Sequence, residues 1–268
     1  MRAIPLFIFV FVAFSITQFS IAQQTQAPIP TPAQRDPLSI SILERAVTAA
    51  GSAQAIRKIA DFAATGTITH NWSGGPVSGQ LHVQGRGHDQ LRMETRTPDG
   101  THLVLLNHGK GSFSGPNYDS TISPMDATNL ALVTFPISFV LAALDDPNAI
   151  ISTVDAEPAG PPSTVTIHII RGIPGKLAQV ESARKINSVA VLIDSTTFTI
   201  VSIRHPLFAR GARARDVLRE LNYSNFKEIN GLVLPLAIDE RIDGQLTWRM
   251  NLSTVEFNQG LTDDIFRP

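Results

Sequence analysis

Ile229-Asn230-Gly231-Leu232-Val233-Leu234 and, further on, Ile242-Asp243-Gly244-Gln245-Leu246 each set a turn dipeptide between apolar runs. Asn-Gly and Asp-Gly accept positive φ at both centres of a tight hairpin turn, which most residues do not. Three long strands follow outward from these turns. The first runs from about Ala214 to Glu228 through Val217-Leu218-Arg219-Glu220-Leu221-Asn222-Tyr223, the second from Leu232 to Ile242, and the third from Gln245 to Phe257. The third alternates through Leu246, Trp248, Met250 and Leu252. A period of two buries one face of a strand and wets the other. Arg210 to Pro268 therefore reads as part of a large antiparallel sheet with one apolar face, and function turns on what covers that face.

The length, 268 residues, allows one large or two small domains. Basic and acidic residues nearly cancel, at 22 and 23, so no electrostatic partner such as nucleic acid is indicated. The apolar fraction of 43% suffices for a sizeable core. The absence of cysteine excludes disulfides, thiolate metal sites and lipid attachment at a cysteine.

Residues 1–22 read as a secretory signal. Arg2 supplies the positive start, Ile4 to Phe14 is almost wholly apolar, and Ser20-Ile21-Ala22 places small residues where cleavage before Gln23 needs them. The competing reading is a retained membrane anchor. Polar Ser15, Thr17, Gln18 and Ser20 break up the second half of the stretch and favour cleavage. Residues 23–37, rich in Gln, Pro and Thr without periodicity, read as a flexible linker. No internal repeat or second linker follows, so residues 38–268 are taken as one domain.

That domain opens with a helix over about Leu38 to Ala50, in which Leu43, Ala46, Val47 and Ala50 form one stripe and Gly51 is placed to end it. Ser52 is placed to cap a short second helix, Ala53 to Ile59. Strands over Phe62–Trp72, Val77–Gly85, Gln90–Thr97 and His102–His108 form a meander punctuated by glycine- and proline-marked turns. Met125 to Leu144 interrupts it with a helical period, and Pro136 divides the stretch. Ile137, Val140, Leu141 and Leu144 share a stripe, with Phe135 and Phe139 off it, so this insertion is apolar on more than one side. Strands resume at Ser163–Arg171, Ser188–Asp194 and Thr199–Pro206, for about ten or eleven strands in all.

Three groups of residues now carry a family resemblance. The first is Leu43-Glu44-Arg45-Ala46, leading to Gly51, Ile59-Ala60-Asp61-Phe62 and Gly66; the second is Leu192-Ile193-Asp194-Ser195-Thr196-Thr197. The third is Tyr223-Ser224-Asn225-Phe226-Lys227-Glu228-Ile229-Asn230-Gly231-Leu232-Val233-Leu234-Pro235, with Asn258 and Asp263-Asp264-Ile265-Phe266 beyond it. In order and spacing these resemble the LolA/LolB-like superfamily of periplasmic, outer membrane lipoprotein-sorting proteins, from about Ser39 to Pro268. The resemblance implies an α+β, mainly β fold: a single strongly curved antiparallel sheet, or half-open β-barrel, with helices plugging its concave face. It implies acyl chains as ligand and the periplasm of a Gram-negative-type bacterium as location. Some members hold a lid closed with a buried arginine; no residue here is matched to it, and Arg210 to Arg219 matches no family feature.

Other chemistry finds little support. Five of the seven histidines lie between His70 and His108, but spacings of six (His82 to His88, His102 to His108) across strands and turns do not make ligands converge. His82 falls on the wet face and His70 with Ile68 and Trp72. Gly111-Ser112-Phe113-Ser114-Gly115 has phenylalanine where a hydrolase elbow needs serine. No phosphate-binding motif surrounds Lys110, and no dinucleotide fingerprint occurs. Arg210, Arg213, Arg215 and Arg219, partly balanced by Asp216 and Glu220, read as a solvated loop running into a strand face, with anionic headgroup contact as the alternative.

The expectation is a non-enzymatic, monomeric lipid- or lipoprotein-binding protein with no cofactor, metal or catalytic residue, and with a transient membrane or membrane-protein partner in reach. Its apolar cavity and lid would draw on Ile68, Trp72, Leu81, Val83, Leu91, Met93, Phe135, Ile137, Phe139, Val140, Leu141, Leu144 and Trp248. Each buried methylene would contribute about 0.8 kcal/mol, and a chain of about fourteen carbons on the order of 10 kcal/mol before costs. The alternative is an interaction or envelope-sensor module whose groove is filled by its own side chains; an enzyme would need polar groups gathered in a pocket.

Overall fold

The computed structural model describes residues 35–72, 74–122, 124–130, 135–153, 163–170, 187–208 and 216–267, all within the unit Ala33–Pro268. The expected signal and most of the expected linker, residues 154–162, and Arg210, Arg213 and Arg215 lie outside these residues.

The Asp36 carboxylate starts the first helix, α1 (Pro37–Ala49), by accepting the Ser39 amide at 2.8 Å, and Pro37 fits the first turn because its missing N–H is not needed there. Leu43, Ala46 and Val47 are its buried stripe. Gly51, at φ +123°, ends it, and Ser52 caps α2 (Ala53–Arg57) by accepting the Ala55 amide. Arg35, placed in the expected linker, donates to the carbonyls of Ala143, Leu144 and Asp146 at 2.6–3.4 Å, so this part of the expected linker is tied to the fold.

The strands are β1 (Asp61–Trp72), β2 (Gly75–Arg86), β3 (Gln90–Thr97), β4 (Gly100–Asn107), β5 (Lys110–Gly115), β6 (Tyr118–Ile122), β7 (Ile150–Thr153), β8 (Thr164–Ile170), β9 (Ser188–Asp194), β10 (Ile200–Phe208), β11 (Asp216–Ile229), β12 (Leu232–Ile242) and β13 (Gln245–Phe257). Between β6 and β7 lie α3 (Pro124–Leu130) and α4 (Pro136–Asp145), divided at Pro136 as expected, and a 3₁₀ turn (Asp263–Phe266) closes the chain. Among the described residues thirteen strands form one antiparallel sheet in the order β6-β5-β4-β3-β2-β1-β13-β12-β11-β10-β9-β8-β7. The protein is thus mainly β, and both C-terminal hairpins turn through positive φ at Asn230-Gly231 and Asp243-Gly244.

Two corrections follow. Three strands, β5, β6 and β7, were not among those expected from the sequence. β5 reads Lys-Gly-Ser-Phe-Ser-Gly, poor in strand formers, and is held by its ladder to β4; β6 and β7 are short edge strands. Further, β6 and β7 are the end strands among the described residues, and the sheet is neither closed nor strongly curled, in place of the strongly curved half-barrel of ten or eleven strands.

The residues that carried the family resemblance hold the fold. Gly66 sits at a bulge where an added Cβ would lie 2.1 Å from the Asn251 carbonyl oxygen. The Asp61 carboxylate accepts the Gln259 and Leu261 amides, and Asn258 Oδ1 accepts the Ala60 amide. Together they clamp the chain end to the start of β1.

Candidate functional site

Period-2 alternation sets the site. On β12, Leu232, Leu234, Leu236 and Ile238 point into the core, and the next residue in the same row is Glu240. On β11, Tyr223 and Leu221 point inward and the next in the row is Arg219. On β10, Ile203 is followed in the same way by His205. The registers align the ends of these rows: His205 opposes Arg219, Trp248 opposes both Glu240 and His70, and Glu240 is the diagonal neighbour of Arg219. A transverse row of polar groups thus crosses five strands on the apolar face.

The row is hydrogen-bonded. Arg219 Nε–H donates to Glu240 Oε1 at 2.5 Å, and Thr247 Oγ1–H donates to Glu240 Oε2 at 2.6 Å. Arg219 Nη1–H donates to His205 Nε2 at 3.2 Å, which leaves the His205 proton on Nδ1, facing the Pro206 carbonyl. Burial, with the Arg219 charge beside it, pushes the His205 pKa down to about 3, so the ring is neutral at pH 7. Burial likewise lowers the pKa of His70.

This row borders a cavity of about 600 Å³. Its wall draws on β1, β3, β4, β5, β6 and α3 on one side and on β10, β11, β12 and β13 on the other. Met93, Val104, Phe113, Leu130, Ile242 and Trp248 give it apolar surface, and a hydrogen-bonded group on the wall joins His102 Nδ1 to the Tyr118 hydroxyl at 3.0 Å and His102 Nε2 to Thr97 Oγ1 at 3.0 Å. The volume lies in the range of small-molecule sites, and an apolar wall with a few convergent polar groups is their usual character. As chemistry the arrangement is quiet. Burial raises the Tyr118 pKa, the opposite of what a phenolic nucleophile needs.

Of the residues expected to bind ligand, Leu91, Met93 and Trp248 line this cavity. Ile68, Leu81 and Val83 are buried in the sheet's core cluster. Phe135, Ile137, Phe139, Val140 and Leu141 are buried with them, Leu144 packs at the edge, and α4 lies against α1. Spaces at that end are small, about 30 Å³ by Ala46, Phe135 and Ile137 and about 10 Å³ by Phe62 and Phe135. The Trp72 side chain lies outside the described residues. Thus α4 is packed core, and the open space is beside α3.

Arg219 corrects the reading of the basic stretch. It is 2% exposed, and Glu220, expected to balance the stretch, lies on the other face and pairs with Arg204 at 2.8 Å. The signal was present in the sequence: Arg219 stands two residues before Leu221 and four before Tyr223, and Glu240 two after Ile238. Opposite charges at in-facing positions of neighbouring strands mark a buried pair.

No protein family's sequence pattern matches the chain, and no curated protein matches it. Solved structures do. A candidate outer membrane lipoprotein-sorting protein domain from Vibrio parahaemolyticus matches with a TM-score of 0.51 at 12% identity, over 85% of this chain and 97% of that one. A LolA superfamily protein from Nitrosomonas europaea matches with a TM-score of 0.50 at 12% identity, over 86% and 97%. The fold is therefore LolA-like. Among the described residues no helix is long and apolar enough to cross a membrane.

Proposed function

We propose that this protein is an exported, non-enzymatic binding protein that shelters acyl chains, free or on a lipoprotein, in the cavity between the sheet and α3. The observation that carries the reading is the cavity of about 600 Å³ on the apolar face, with walls from both halves of the sheet. Strands β6 and β10, nine ladder positions apart, both contribute to this wall. The LolA-like fold supports a lipoprotein-sorting type of role; fold alone does not assign it. On this reading residues 1–22 are removed on export, residues 23–34 tether the domain, and a monomer works in the periplasm. The helix α3, which packs on β4, β5 and β10, is the element placed to admit the chain.

The alternative, a sensor module with a self-filled groove, draws support from the α1–α4 end, where side chains leave spaces of only about 10–30 Å³. Titration with a fluorescent fatty acyl probe separates the two. Saturable binding that Val104→Trp abolishes in a folded variant supports the binding protein, because the indole fills the cavity. An absence of binding to the unmodified protein favours the sensor.

A further inference from the structure

Within the proposed acyl-binding reading, on which this inference rests, the polar row does more than hold strands together. Arg219 is almost wholly buried and lies on the cavity wall. Two of its nitrogens are engaged, Nε by Glu240 and Nη1 by His205. Its Nη2 donates to no described residue. A buried guanidinium nitrogen on an apolar wall, with no acceptor among the described residues, takes an oxygen acceptor from whatever fills the space.

The charges on the wall decide which acceptor. Among the described lining residues Arg219 is the one lysine or arginine, beside the carboxylates of Glu240 and Asp126. The Arg219 charge is already compensated by Glu240 at 2.5 Å. His205 behind it is neutral and adds no positive charge. A carboxylate head would be desolvated beside the Glu240 carboxylate, which already neutralises Arg219. An uncharged carbonyl oxygen accepts the same hydrogen bond without that cost.

We propose that Arg219 is the specificity-determining residue of the cavity, seating the uncharged carbonyl oxygen of an acyl ester or amide in preference to the carboxylate of a free fatty acid. The chain then lies along Met93, Val104 and Phe113, and the carbonyl sits against the Arg219 end of the wall.

Isothermal titration at pH 8 with three ligands of equal chain length tests this: 1-monomyristoylglycerol, its ether analogue 1-O-tetradecylglycerol, and myristate. The unmodified protein is expected to bind the ester about tenfold or more tighter than the ether, as a hydrogen bond to a charged donor provides, and tighter than myristate. Arg219→Met alone strands Glu240, so the comparison uses Arg219→Met/Glu240→Met, with folding checked by circular dichroism. That variant is expected to bind ester and ether alike. Equal binding of ester and ether to the unmodified protein, tightest binding of myristate, or an ester preference surviving in the double variant would each overturn the assignment while leaving the acyl-binding reading intact. Binding of none of the three would overturn both.

Discussion

Arg219 and Glu240 form an ion pair inside the sheet, Nε to Oε1 at 2.5 Å, with side chains 2% and 9% exposed. They stand on adjacent strands as diagonal neighbours, and Thr247 satisfies the second carboxylate oxygen. A buried pair of this kind is costly to break and cheap to replace, since removing one partner leaves the other charged and unpaired. Arg219→Met is therefore expected to lower unfolding stability by about 3–5 kcal/mol, and Arg219→Met/Glu240→Met by much less. Urea denaturation of the two variants checks this; equal losses would mean the pair is not the unit.

His205 gives the row a pH signature. Its folded pKa of about 3 lies below the unfolded value of 6.5, so between those values the unfolded chain binds the extra proton. Stability is expected to fall as pH drops through this window, by about 1.4 kcal/mol per unit from this one group, and to be unaffected by it above pH 6.5. His70 is lowered in the same direction, so the contribution is isolated with His205→Gln, which keeps an acceptor for Arg219. Its slope between pH 6.5 and 4.5 should be shallower by about one proton; an unchanged slope would contradict the assignment.

Gly66→Ala is expected to be among the most damaging single changes. Its Cβ would meet the Asn251 backbone at 2.1 Å, and neither strand of a central ladder can move away without breaking pairing. Thermal unfolding should show loss of the cooperative transition or a large fall in Tm. A fall of a degree or two would mean the bulge is more compliant than its geometry implies.

Arg35→Ala tests how firmly the start of the described chain is tied to α4. The guanidinium caps the carbonyl end of α4, and its charge complements the helix dipole there. Removing it is expected to cost about 1–2 kcal/mol and to speed hydrogen exchange at Ala142 to Asp146. Unchanged exchange would place Arg35 outside the fold's energetics.

Much of the fold was legible because turn chemistry and alternation are local. Asn230-Gly231 and Asp243-Gly244 fix both hairpins, Gly51 ends α1, and Pro136 divides α3 from α4. Strands such as β5 were illegible because their residues have little strand preference and the neighbouring strand decides. The site was half legible. Met93 and Trp248 follow from alternation, but nothing local says whether an apolar helix covers a void or fills it. That is why Val140, fully buried in α4, reads like a lid residue in sequence and is core in the structure. Arg219 was misplaced because its neighbours Arg210 to Arg215 gave it the look of a charged run, when its own two-residue spacing from Leu221 set its direction.

The central claim is that the cavity beside α3 holds an acyl chain. Native mass spectrometry of the protein purified from its own periplasm, followed by organic extraction, tests it most directly. The account predicts a stoichiometric adduct with the mass of an acyl lipid or acylated protein, missing from the Val104→Trp variant. A bare polypeptide mass, from protein that also takes up no acyl ligand added in vitro, would contradict it.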